Sequence, residues 1–308
     1  MADWSGILNE LQKSRGDFDG IRRKYLKRLH NHTKRNIIAY YSGWLQKPGA
    51  PNLGINDLDK NSFMATMKGL DREVGLDLIL HTPGGDVAAT ESIIDYLTTM
   101  FEDIRVVVPQ LAMSGGTMIA CSANRILMGK HSSLGPIDPQ FMTPYGQVAA
   151  HGVLEEFQQA HEEIKTDQTK VFVWQPIISK YTPTLIGECQ KAMDWAETIA
   201  RERLAARMLA DITDDTERNQ KVNGIIEKLG DHSVSLSHAR HLSYEKCDEM
   251  GLVVERLEDD QTLQELVLSV HHAMMHTLAS TFATKVVENH KGSAYIQQAA
   301  APNNQQQQ

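Results

Sequence analysis

Two apolar runs near the middle of the chain constrain its fold more than any other feature. "LDLILH" (Leu76–His81) and "DIRVVVPQ" (Asp103–Gln110) have the length and composition of strands buried on both faces. Each runs into a turn of small residues, "TPGGDV" after the first and "LAMSGG" after the second. Each turn then opens a helix-spaced segment, "AATESIIDYLTTMF" and the shorter "GGTMIACSA". An earlier β-branched and aromatic run, "RNIIAYYSGW", and a later one, "RILMG", extend the alternation. Strand, helix, strand in this order predicts βαβ units, a mainly parallel sheet and right-handed crossovers. The turns after such strands open on one edge of the sheet, where ligands usually bind. Gly84, Gly85 and Ser114 are therefore expected on the same edge.

The rest of the chain is read around this unit. From about Ser5 to Leu29 apolar residues recur at helical spacing. "INDLDKNSFMATMKGL" is a helix with Asn56 or Asp57 as its N-cap. After Gln140 helical patterns dominate: residues 146–170, 182–210 and 214–229, then "SYEKCDEM". "GLVVERLED" returns as a last strand, and residues 261–288 read as one terminal helix. The polar, low-complexity "SAYIQQAAAPNNQQQQ" is expected to be a disordered tail. The expected domains are an N-terminal helical extension at 1–31, a main domain at 32–258, a C-terminal helix at 259–292 and the tail at 293–308.

Composition excludes several classes of function. A net charge of −8 and a pI of about 5.9 lack the basic signature of a nucleic-acid binder. Three cysteines, far apart and without a CxxC pair, argue against a structural zinc or a disulfide framework and for a reducing compartment. There is no Walker A, GxGxxG or HExxH pattern, so neither a cofactor nor a metal is expected. The charged N-terminus lacks the apolar core of a signal peptide, and no run approaches a membrane span; a cytoplasmic protein is expected.

Ser114 raises the question of chemistry. A serine hydroxyl attacks an amide or ester only with a base in reach, and the resulting oxyanion needs preorganised donors, usually backbone N–H groups. A serine where a strand meets a helix, followed by Gly115 and Gly116, has free N–H groups beside it and no Cβ to obstruct a substrate. The Gly84-Gly85 turn of the preceding unit is placed to supply a second donor. Ser-Gly-Gly is also a common turn sequence, so the residues alone leave a structural role open.

A resemblance sharpens the reading. "LILHTPGGDV" resembles the strand and Pro-Gly-Gly turn of the Clp/crotonase-like serine peptidases, and "LAMSGGTMIACSANRILMGKHSSLGPIDPQ" resembles their nucleophile segment. "LGPIDPQ" is similar to the serine dehydrogenase proteinase family within that group. The resemblance spans roughly residues 35–255. It implies an α/β fold with a Clp/crotonase-like ββα superhelix core, helical additions, a peptide or protein substrate and a homo-oligomer. It further implies Ser114 as nucleophile, Asp138 as orienting acid, and the N–H groups of Gly85 and Gly115 as the oxyanion hole. The family's histidine maps to His238, in "DHSVSLSHARHLSYEKCDEMGLVV". Ala239-Arg240-His241 stands there in place of the family's Asp-Tyr-Pro, which leaves His241 and His232 as competitors.

Other readings stay open at this level. A Ser–Lys dyad would draw on Lys165 or Lys170, although both sit in the polar "HEEIKTDQTK". An acyl-CoA-handling enzyme and an inactive scaffold are further possibilities for the same fold. Asp138 has an alternative role in holding its own turn. His81, at the end of the first buried strand, either touches substrate or packs the turn.

Overall fold

In the computed structural model, which describes residues 3–144, 146–230 and 240–299, a seven-stranded sheet forms the spine of the molecule. Its parallel part is β1 (Asn36–Ser42), β2 (Leu76–His81), β3 (Ile104–Val108), β5 (Arg125–Met128) and β9 (Val254–Arg256), in that spatial order. Two short strands, β4 (Leu111–Ala112) and β6 (Ser133–Leu134), pair in parallel above the C-terminal edge. A hairpin of β7 (Gln140–Thr143) and β8 (Gly146–Ala149) stands apart. At the other end, β10 (Ala283–Asn289) pairs antiparallel with β1, and β11 (Ala294–Gln298) with β10.

The period of two along each strand divides the core into two layers. From β1, Ile38 and Tyr40 join one apolar cluster, while Ile37, Ala39 and Tyr41 join the other. The first layer is closed by α3 (Leu58–Met67), α4 (Val87–Met100), α5 (Gly115–Cys121), α8 (Leu185–Arg203), α9 (Asp215–Gly230) and α10 (Tyr244–Met250). The second is closed by α1 (Trp4–Lys13), α2 (Phe18–Thr33) and α11 (Gln261–Ser280). A smaller cluster joins α6 (Ala150–Thr166) to α8 around Val153 and Cys189, with Phe141 and Val148 of the hairpin against it. One further helix, α7 (Val171–Ile178), carries the largely exposed Phe172.

At the N-terminal ends of the parallel strands the side chains form a charge ladder. Buried Asp77 accepts from Arg35 Nε at 2.6 Å and from Arg105 Nη2 at 2.9 Å. Arg125 bridges Asp103 at 2.9 Å and Glu255 at 3.1 Å. This tie links β1, β2, β3, β5 and β9 at the edge opposite the Gly84 and Ser114 turns.

The predicted strands and the mainly parallel sheet are present, and four elements differ from expectation. The N-terminal helical pattern is two helices, because Arg15 and Gly16 take φ of 56° and 84° and Asp17 then caps α2 through Gly20 N–H at 2.8 Å. Residues 146–149, expected to be helical, form β8. The terminal helix stops at Ser280 and the β-branched "ATKVVEN" becomes β10, which covers the edge of β1. Residues 294–298, assigned in advance to the tail, form β11.

Candidate active site

The site is built by two turns that the backbone stitches together. Thr82 N–H donates to Leu111 O at 3.1 Å, and Met113 N–H donates to Thr82 O at 3.0 Å. These bonds align the turn after β2 with the turn after β3. The first turn is closed by Asp86, whose Oδ1 accepts Ala89 N–H at 2.8 Å and starts α4. Gly84 has φ of 89°, and a Cβ on it would meet Ser114 Cβ at 2.6 Å and Met113 O at 2.7 Å. Only glycine fits there.

Ser114 itself has φ of 52° and ψ of −114°, at the N-cap of α5. A non-glycine residue in this region carries about 1–3 kcal/mol of strain. Its side chain makes no capping bond to the helix, so the usual reason for a serine at this position does not apply. The residue is half-buried and lines a cleft of about 550 Å³. A Cβ on Gly115 would lie 2.6 Å from Thr90 Oγ1 and 3.5 Å from Gly85 N, so the Gly85 and Gly115 nitrogens are neighbours. Among the described residues neither N–H is used in a hydrogen bond. Two unengaged backbone donors thus sit beside one strained hydroxyl.

A third segment, Leu134–Gln140, borders the same cleft. Thr117 ties it to α5: its Oγ1 lies 2.8 Å from Gly135 O and accepts Gly135 N–H at 3.0 Å. Asp138 is buried, and its Oδ2 accepts from Gln140 Nε2 at 2.8 Å. Ile137 N–H donates to Leu229 O at 3.3 Å, at the end of α9. Leu134 exchanges both backbone bonds with Leu242, at 2.9 and 3.0 Å. The Leu134–Asp138 segment is therefore bonded to the chain at Leu229 and at Leu242.

His238 and His232 lie outside the described residues. His241 is exposed and makes no hydrogen bond or ion pair with another described residue. Lys165 and Lys170 are exposed, on α6 and in the turn that follows it. His81 is fully buried and packs on Trp44 with ring centroids 4.3 Å apart, so it belongs to the turn's foundation rather than to the cleft. Neither of its ring nitrogens finds a hydrogen-bond partner among the described residues. Burial pulls its pKa down to about 3, and the nearby Leu111 main chain opposes this only in part. Cys121 and Cys247 are buried free thiols, and burial raises both, Cys247 to about 12.

The other walls of the cleft are mixed: Val87, Met118, Ile137, Phe141 and Trp195 supply apolar surface, and Gln140 and Gln147 supply polar groups. Sequence reasoning missed Thr90, Thr117 and Ile55. The last of these pairs with Gly85, accepting Asp86 N–H at 2.9 Å and donating to Gly84 O at 2.7 Å. Thr117 had a signal, since it directly follows Ser-Gly-Gly; Ile55 follows an irregular loop and had none. Among the described residues no helix is long and apolar enough to cross a membrane.

Known proteins are similar to this chain in sequence. An uncharacterized protein of Methanocaldococcus jannaschii, MJ0137, is 36% identical over 113 residues, 37% of this chain and 38% of the relative. A second from the same organism, MJ1495, is 31% identical over 196 residues, 64% of this chain and 57% of the relative. The chain thus spans less than two thirds of the length of either relative. The sequence pattern of ClpP-like SDH-type serine proteinases matches residues 18–276, which takes in the sheet from β1 to β9, both glycine turns and Ser114. A parallel sheet whose strands end in such turns is the Clp/crotonase-like α/β architecture, with helical additions. On fold and on pattern together, the chain belongs to the ClpP-like SDH-type serine proteinase family.

Proposed function

We propose that the protein is a serine peptidase that cleaves peptide bonds through an acyl-enzyme on Ser114. The observation that carries this reading is the conformation of Ser114. It stands uncapped and strained at the head of α5, beside the unengaged N–H groups of Gly85 and Gly115. In this reading the Ser114 hydroxyl attacks the scissile carbonyl and the two N–H groups receive the oxyanion. His238 takes the hydroxyl proton and returns it to the leaving amine; water then repeats the sequence to release the acyl group. Asp138 holds the imidazole in the required tautomer. Support for His238 comes from its neighbours in the chain: Leu229 and Leu242, on either side of it, both bond to the Leu134–Asp138 segment. The exposure of Lys165 and Lys170 disfavours a Ser–Lys dyad, because a lysine base needs desolvation. Peptide or protein substrates, a homo-oligomer and a cytoplasmic location complete the proposal.

The test is labelling by a fluorophosphonate, read by mass spectrometry on wild type and Ser114→Ala. Modification at Ser114 that disappears in the variant is expected. Modification elsewhere, or none in the wild type, refutes the nucleophile. Replacing His238, His241 and His232 singly by Ala then assigns the base in a peptide-cleavage assay. Full activity in all three refutes the triad.

A further inference from the structure

A buried ion pair lies just behind the Gly84-Gly85 turn. Lys285, on β10, and Asp59, on α3, are both fully buried, with Nζ and Oδ2 2.7 Å apart. Desolvation pulls the Lys285 ammonium below its ordinary value, and Asp59 opposes the shift. Such a pair is a poor source of stability, since a well-packed apolar replacement is often as stable or more so. Its surroundings indicate another use.

Among the described residues, every remaining hydrogen bond of the pair reaches the strap Leu53–Asn56 or fixes the pair itself. Lys285 Nζ also donates to Gly54 O at 2.6 Å. Asp59 Oδ2 accepts Asn56 N–H at 3.0 Å and the Tyr40 hydroxyl at 2.9 Å, and its Oδ1 accepts Gln297 Nε2 at 3.0 Å. Ser42 Oγ holds Leu53 O at 2.7 Å. The strap is thus clamped along one side from β1, β10 and α3, with β11 bracing Asp59. On its other side Ile55 bonds Gly84 O and Asp86 N–H, and a Cβ on Gly85 would strike Ile55 N at 2.2 Å.

The consequence follows from peptide planarity. Gly84 C=O and Gly85 N–H belong to one trans peptide unit and point in opposite directions. Holding Gly84 O on Ile55 therefore directs Gly85 N–H away from the strap, on the side of Gly115. Two consecutive glycines would otherwise allow this peptide to turn over at little steric cost. We infer that the Asp59–Lys285 pair is a positioning device, which through the strap Leu53–Asn56 fixes the direction of the Gly85 N–H. The role rests on the reading of that N–H as an oxyanion donor.

The test compares wild type with Lys285→Met and with Asp59→Asn/Lys285→Met; the double variant leaves no unpaired carboxylate buried. The rate of Ser114 phosphonylation and the kcat for a peptide are expected to fall about 10- to 100-fold, somewhat less than the loss of a whole oxyanion donor. KM should change much less than kcat, because neither replaced side chain lines the cleft. Hydrogen exchange should accelerate at residues 53–56 and 84–86 and remain unchanged in β3 and β5. Unchanged rates in a folded variant, or faster exchange spread over the whole sheet, would overturn the inference. Absence of labelling in the wild type refutes the peptidase reading instead. The exchange measurement still decides whether the pair holds the turn.

Discussion

Replacing Ser114 by glycine should remove activity and stabilise the protein relative to Ser114→Ala. At φ 52° and ψ −114°, Ser114 lies outside the regions open to residues with a Cβ. The strain is about 1–3 kcal/mol, and alanine retains it while glycine does not. Against this, glycine makes the unfolded chain more flexible than alanine does, by about 0.4–1 kcal/mol. The net advantage of Ser114→Gly over Ser114→Ala is therefore about 0–2.6 kcal/mol, centred near 1.3 kcal/mol. At roughly 2 °C per kcal/mol for a chain of this size, Tm should be about 0–5 °C higher, with the centre of the range near 3 °C. Urea and thermal unfolding of the two variants measure the difference directly, free of any effect of the missing hydroxyl. A glycine variant less stable than the alanine variant refutes the claim that the junction before α5 is held under strain. The reverse sign is normal within a helix, where glycine costs about 0.5–1 kcal/mol against alanine. The sign alone is therefore informative.

Gly85→Ala should destabilise by about 3–5 kcal/mol in urea unfolding. Its Cβ would meet main-chain atoms of Ile55 at 2.2 and 2.3 Å, which breaks two hydrogen bonds of about 1 kcal/mol each and adds overpacking of about 1–3 kcal/mol. A change below about 1 kcal/mol would show that Ile55 yields freely. Asp138→Asn should lower kcat by about 10²–10⁴-fold with little change in KM, and unaltered kcat removes Asp138 from the proposed triad. Stability should fall in mild acid. The folded pKa of His81, about 3, lies below its unfolded value, so its contribution is complete above pH of about 6.5 and is lost as the pH falls toward 3. At pH 5 the loss from His81 is about 2 kcal/mol, visible as a lower urea midpoint than at pH 7.5. A His81→Phe variant should show a shallower fall, and an identical one refutes the assignment.

The parts of the site legible in advance were those with local causes. A strand buried on both faces must be a short apolar run, so "LDLILH" and "RVVV" announced β2 and β3. The turns that follow need glycine where backbones nearly touch, as Gly84 does against Ser114, and those glycines marked the place. Elements with non-local causes were misread. β10 followed a helix without a break in apolar content, and became a strand because β1 needed an antiparallel partner. Residues 146–149 pair with 140–143 for the same kind of reason.

Sequence by itself therefore determined the strand–turn–helix units and set Ser114, Gly85 and Gly115 at their turns, since each rests on chain geometry within a few residues, while Asp138 became a candidate through the family resemblance. Tertiary structure decided what holds them. Ile55 against Gly85, Thr117 against Gly135, and Lys285 against Gly54 and Asp59 join parts of the chain that are distant in sequence, Lys285 and Gly54 by 231 positions. Hydrogen bonds and ion pairs select partners by proximity in space, and a buried polar group must find one wherever the fold supplies it. Nothing in the residues near Lys285 or Gly54 records that choice.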